Sequence, residues 1–142
     1  MSYELERSIG FKINQTANKI NNKYTKILQP FNIAPEQRAA LEIIKYESDV
    51  NQTKIATILG KDKTTICRAL NALETKNFIK KSQKDKRTNL IEITPEGEDI
   101  LDKCSVYVKG FRKNLSSKLK DEDMNTLIKL LEKVALSVEE LS

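Results

Sequence analysis

Apolar positions through residues 4–28 fall at Leu5, Ile9, Ile13, Ile20, Tyr24 and Ile27, mostly three, four or seven places apart. That spacing predicts one amphipathic helix. The ring of Pro30 disfavours helix at Gln29, so Gln29-Pro30-Phe31-Asn32 ends it. A second helix is predicted from Pro35, a residue suited to a first helical turn, with Ala39, Leu41, Ile43 and Ile44 inward. Ala34 before it offers no side-chain acceptor, so this start is poorly capped. Asn51 is a good N-cap for a short third helix with Ile55, Ile58 and Leu59 on its apolar side. Gly60 supplies the permissive residue after it. A fourth helix runs to about Lys76 with Ile66, Leu70 and Leu73 buried, and Asn77 suits a left-handed exit. Two helices joined by a tight glycine-containing turn form a helix-turn-helix.

The period then changes from helical to alternating. Phe78–Ser82 reads as a strand, Gln83–Arg87 as a polar turn and Thr88–Thr94 as the returning strand, with Ile91 and Ile93 on one face. Thr94-Pro95 is an N-cap followed by a first-turn proline. It opens a helix to about Lys118 that turns Ile100, Leu101, Cys104, Val108, Phe111 and Leu115 inward. The last helix starts near Asp121. It carries Met124, Leu127, Leu131, Val134, Val138 and Leu141 at alternating gaps of three and four, a heptad seam. The predicted fold is mainly α with a small β-wing: a winged helix-turn-helix over residues 33–95 within a single domain of 1–142. Residues 1–30 and 96–142 are predicted to form a dimerisation region. Its contacts are expected from Leu5, Ile9, Ile13, Leu127, Leu131, Val134 and Val138.

Composition narrows the chemistry. The 142 residues contain no histidine and two cysteines, Cys67 and Cys104, at no zinc-binding spacing. Histidine-based catalysis, the usual zinc sites and a disulfide scaffold are therefore poor expectations, and neither a metal, a cofactor nor an enzymatic activity is predicted. No apolar run approaches the ~18–20 residues of a membrane span, and the N-terminus has no signal-peptide pattern. A cytoplasmic chain without membrane contact is expected.

The net charge of +5 is concentrated. Between Lys61 and Arg87, nine basic residues face only Asp62, Glu74 and Asp85, a local charge of +6 in 27 residues; the other 115 sum to −1. A cationic surface on a near-neutral body predicts a polyanionic partner. In a helix-turn-helix the second helix presents short polar and basic side chains to base edges in the major groove. Here those are Lys63, Thr64, Thr65, Arg68 and Asn71, preceded by Lys61 in the turn. The hairpin adds Lys80, Lys81, Lys84, Lys86 and Arg87; an arginine at a hairpin tip suits a narrow minor groove. Asp85 can orient Arg87 through a bidentate pair or shape the turn through its own backbone. Gln52, Thr53 and Lys54, beside the free N–H groups that open the third helix, are candidate phosphate contacts.

The run Leu59-Gly60-Lys61-Asp62-Lys63, then Arg68, Leu70, Leu73-Glu74, Asn77-Phe78-Ile79, Asp85-Lys86-Arg87, Ile91, Ile93 and Thr94-Pro95-Glu96-Gly97, resembles the MarR family of bacterial transcriptional regulators. The Asp-x-Arg wing closed by a strand and Thr-x-x-Gly is its most discriminating part. The resemblance implies a homodimer with interlocked terminal helices that binds double-stranded DNA at a palindromic operator, usually as a repressor. It also implies release by a small-molecule effector or by cysteine oxidation. It suggests an effector crevice between the dimer helices and the winged helix, which Tyr24, Phe31, Tyr107 and Phe111 could line; aromatics at helical spacing are more often plain core, so no effector residues are assigned.

Two alternatives stay open on the sequence. One is a DNA-architectural or protein-interaction winged-helix module. The other is a thiol-based redox-sensing regulator, using Cys67 beside Arg68 or Cys104, although Cys104 falls on an apolar stripe as a small buried hydrophobe would.

Overall fold

The computed structural model describes residues 4–83, 85 and 89–141. Among them, six α-helices and one hairpin follow in order: α1 Ile9–Leu28, α2 Pro35–Tyr46, α3 Gln52–Leu59, α4 Lys63–Thr75, β1 Ile79–Gln83, β2 Asn89–Ile93, α5 Pro95–Leu115 and α6 Asp121–Glu139. The chain forms two compact units, Met1–Val106 and Tyr107–Ser142, with the division falling inside α5.

The first helix begins later than its apolar spacing predicts. Glu4–Arg7 form a single 3₁₀ turn, and Ser8 in extended conformation caps α1 by accepting from the Phe11 N–H at 3.3 Å. A serine with its oxygen over the first free N–H groups sets the boundary more strongly than the continuing apolar pattern. Leu5 therefore sits on the turn, outside the helix. At the other end Gln29–Phe31 tighten into 3₁₀, and Asn32 closes the segment at φ 53°.

In the first unit α2 and α3 pack on α4, and α2 also covers β2. The core is built from Leu28, Leu41, Ile55, Ile66, Leu70, Leu73 and Ile79, all essentially inaccessible. The helices are rotated slightly from expectation. On α2, Arg38 and Ala40 are buried with Leu41 and Ile44, while Ala39 and Ile43 are half-buried. On α3, Ala56 joins Ile55 inside, and Ile58 is 48% exposed. Ile58 lies about 60° outside the stripe through Ile55, Ala56 and Leu59, since each residue turns the helix by about 100°. In α5, Leu101, Cys104 and Val108 are buried, but the helix stops at Leu115, which is 48% exposed.

Arg38 is the uncommon core member, at 5% exposure. Its Nε donates to Cys104 Sγ at 3.3 Å and its Nη1 meets Glu42 Oε2 at 3.3 Å. Burial pulls the guanidinium pKa down, but the Cys104 hydrogen bond and the nearby Tyr24 and Glu42 outweigh it and leave it raised. Cys104 is thus buried as expected, yet it serves as a polar acceptor as well as filler. A buried cation left without acceptors would be costly.

The hairpin pairs Ile79 with Ile93, Lys81 with Ile91 and Gln83 with Asn89, antiparallel. Ile91 N also donates to the Val50 carbonyl at 2.9 Å, which fastens the sheet to the entrance of α3. At the hairpin base Thr94 Oγ1 donates to the Asn77 carbonyl at 2.7 Å and accepts from Gly97 N at 3.0 Å. One hydroxyl therefore closes the exit of α4 and caps α5. Asn77 is left-handed at φ 65°, as its place after α4 predicts. Gly97 lies so near this junction that a Cβ would overlap the Phe78 carbonyl oxygen.

Asp62 caps α4: Oδ1 accepts from Thr65 N at 2.7 Å. The backbone and side-chain hydrogen bonds of Thr65 hold this carboxyl below the usual Asp range. Among the described residues no helix is long and apolar enough to cross a membrane, and no acidic, thiol or imidazole cluster could hold a metal ion.

Two stability outcomes follow. Gly97→Ala forces the α5 start away from Phe78 and should lose about 1–3 kcal/mol in chemical denaturation, as overpacking does; an unchanged midpoint would show that the junction yields freely. For Asp62, whose folded pKa is depressed, the stabilisation is present above the unfolded carboxyl pKa and disappears as pH falls through the folded one. Thermal melts should therefore show Asp62→Ala below wild type at neutral pH and the two converging in acid.

Candidate nucleic-acid interface

α4 carries the site because its inner stripe is so complete. Ile66, Ala69, Leu70 and Leu73 are buried, so the 3.6-residue period turns Thr64, Arg68, Asn71 and Thr75 to the opposite side. Thr64, Cys67, Arg68 and Asn71 are exposed. Lys63 is also exposed at the first turn, where the free N–H groups and the helix dipole add positive potential.

The predicted candidates separate into groups. Thr64, Arg68 and Asn71 lie on the outer face together. Thr65 is half-buried and engaged with Asp62, and with Arg68 it edges a shallow cleft shared with Ala34, Glu36 and Gln37 of the α2 start. Asn71 Nδ2 approaches Cys67 Sγ at 3.7 Å. Cys67, weighed from sequence as a redox candidate on the second helix beside Arg68, stands on the outer face beside Asn71. Helical angle was the available signal, since Cys67 sits three places from Thr64 and four from Asn71.

Lys61 leaves the group. Its Nζ lies 3.5 Å from Glu36 Oε1, against the start of α2. At the entrance of α3, Asn51 Oδ1 accepts from Lys54 N at 2.8 Å, as the N-cap reading predicts. Gln52 Nε2 donates to the Lys63 carbonyl at 3.2 Å and so links α3 to α4, while Thr53 is exposed. Asn51, Gln52 and Thr53 share a cleft with Lys81, Asn89 and Ile91 of the hairpin. The first turn of α3 and the wing base thus face one concavity.

Lys80 lies 3.6 Å from Glu92 and Lys81 lies 3.8 Å from Glu74. Two of these carboxylates, Glu36 and Glu92, come from outside the stretch counted in the sequence, so its local charge overstates the field at those lysines. Lys63 and Arg68 enter no ion pair among the described residues. Exposed pairs of this kind are weak and screened, and an approaching phosphate can compete for their cations. Asp85 is exposed; Lys84, Lys86 and Arg87 lie outside the described residues.

Of the predicted dimer contacts, Leu5, Ile9, Leu127, Leu131 and Val138 are exposed and Ile13 and Val134 half-buried. No residue of α6 is buried at all.

Comparison with known proteins agrees with this geometry. The model of the MarR family matches residues 33–88, which span α2 to the wing. An uncharacterized HTH-type transcriptional regulator of Bacillus subtilis, YwoH, is 29% identical over 124 residues, covering 87% of this chain and 90% of its own. A MarR/EmrR family transcriptional regulator from Acinetobacter sp. ADP1 superposes with TM-score 0.89 at 29% identity, covering 98% of this chain and all of that one. A mutant MarR from E. coli, solved in complex with operator DNA, superposes with TM-score 0.82 at 25% identity over 94% of this chain and 99% of that one. The matched winged-helix segment, the near full-length relatives and the shared six-helix fold with its wing make this chain similar to MarR-family transcriptional regulators over nearly its whole length.

Proposed function

We propose that the protein is a homodimeric repressor that binds a palindromic operator, with α4 in the major groove and the hairpin in the minor groove. The observation that carries this reading is the outer face of α4. Thr64, Arg68 and Asn71 stand opposite an uninterrupted buried stripe, so the polar set is presented as a rigid unit. Asn pairs bidentately with adenine and Arg with guanine, and Thr offers both a hydroxyl and a methyl. The α3 start and the wing supply phosphate contacts on either side, which set register without reading sequence.

Dimerisation is supported by α6. Its Leu127, Leu131, Val134 and Val138 form one stripe that the described residues leave unburied, and a contiguous apolar stripe of that length calls for a partner surface. A second copy would also set two α4 helices about one DNA turn apart, which is why the operator is expected to be palindromic.

An effector site is supported by a cleft of about 410 Å³ lined by Asn21, Tyr24 and Thr25 of α1, Ala34, Pro35, Glu36 and Ala39 of the α2 segment, and Leu59 and Lys61. Of the four aromatics that could line an effector crevice, Tyr24 is among the residues of this cleft. The volume suits a small molecule of the size such clefts hold.

Selection from random-sequence duplexes with purified protein tests the reading. A regulator with about six phosphate contacts should lose affinity with a log–log salt slope near −5 and prefer its selected duplex by about a thousandfold or more. Weak binding without sequence preference would instead support an architectural module. Arg68→Ala should cost about tenfold or more on the selected duplex, and Arg87→Ala should weaken binding with dimerisation intact. Unchanged affinity in Arg87→Ala removes the wing from the interface. Replacing Leu131 and Val134 together by Asp should give monomers in sedimentation and abolish operator binding; a charged variant that stays dimeric places the interface elsewhere.

A further inference from the structure

Lys76 belongs to the cationic stretch and stands at the exit of α4, where one more phosphate contact would be the natural assignment. Its ammonium is engaged elsewhere. Nζ donates to the Asn32 carbonyl at 2.7 Å and to Gln37 Oε1 at 2.9 Å. Gln37 Oε1 also accepts from Ala34 N at 3.2 Å, which closes the α2 start that Ala34 itself cannot cap. One amide oxygen therefore joins the first turn of α2 to the last turn of α4. The second acceptor is equally fixed, because Asn32 is left-handed and its own N–H donates to Gln29 O at 3.0 Å. Lys76 is half-buried, and hydrogen bonds from an ionised donor are stronger than neutral ones.

Among the described residues the entrance of α4 has no comparable tie to α2. Lys61 and Glu36 are both about half exposed at 3.5 Å, a pair of the kind that contributes little. The Asp62 cap is local to α4. The apolar stripe fixes the rotation of α4, and the firmest polar tie between α4 and the α2 start lies at its exit.

We propose that Lys76 is a positioning residue: through Asn32 and Gln37 it sets the angle of α4 against α2, and so the register of Thr64, Arg68 and Asn71, without touching phosphate. This rests on α4 being the reading helix. The two roles have different signatures. A phosphate contact strengthens binding to every duplex and steepens the salt dependence by about 0.9. A strut affects only the sequence-selective part of the affinity.

The test compares wild type, Lys76→Met, Gln37→Met and Gln37→Glu on the selected duplex and on a random-sequence duplex, with a salt titration and a thermal melt for each. Lys76→Met and Gln37→Met should each bind the selected duplex about tenfold more weakly while the random duplex and the salt slope stay as in wild type. Gln37→Glu keeps an oxygen for both donors and should restore selective binding. Should Lys76→Met fail to fold, the two Gln37 variants carry the same comparison. Equal weakening on both duplexes with a slope shallower by about 0.9 would make Lys76 a phosphate contact and overturn the proposal. Unchanged selectivity in both Met variants would overturn it as well. A wild-type protein that selects no duplex removes the reading of α4, and this inference with it; selection by wild type with unaffected variants removes the inference alone.

Discussion

The candidate interface depends on the burial of one side of α4. Ile66, Ala69, Leu70 and Leu73 face α2 and α3, and this contact fixes the rotation of the helix about its own axis. A turn of one residue, about 100°, would carry Arg68 to the edge of the core and Leu70 into water, losing on the order of 2 kcal/mol for the leucine alone. The apolar stripe is therefore what orients the polar one. Short side chains on the outside then need no support from one another, because the helix is held from behind.

Much of this was legible in the sequence because it is written in local rules. Asn51, Gly60, Asn77 and the Thr94-Pro95 pair each act within a few residues of themselves, and the structure places all of them as caps or left-handed exits. The alternation at Leu90–Ile93 is likewise local and gives the hairpin its faces. Ser8 obeyed the same rule but was hidden by apolar spacing that runs past it. Where spacing and a cap compete, the cap set the boundary.

What stayed illegible depends on partners distant along the chain. Nothing near Arg38 announces a sulfur acceptor 66 positions away, so its burial left no signal in the sequence. Lys61, Lys80 and Lys81 counted as cations toward a polyanion, yet their acidic neighbours Glu36, Glu92 and Glu74 lie on other elements. Charge summed along a segment misses carboxylates that the fold delivers from elsewhere.

The bond from Ile91 N to the Val50 carbonyl has a mechanical meaning. It makes the loop into α3 a short extra rung on the ladder, so the hairpin cannot swing about its root as an isolated flap would. Arm and helix entrance tilt together, or the rung opens and leaves a donor and an acceptor for water to satisfy. A wing anchored in this way traces a narrow arc, and what it touches is decided largely before any encounter.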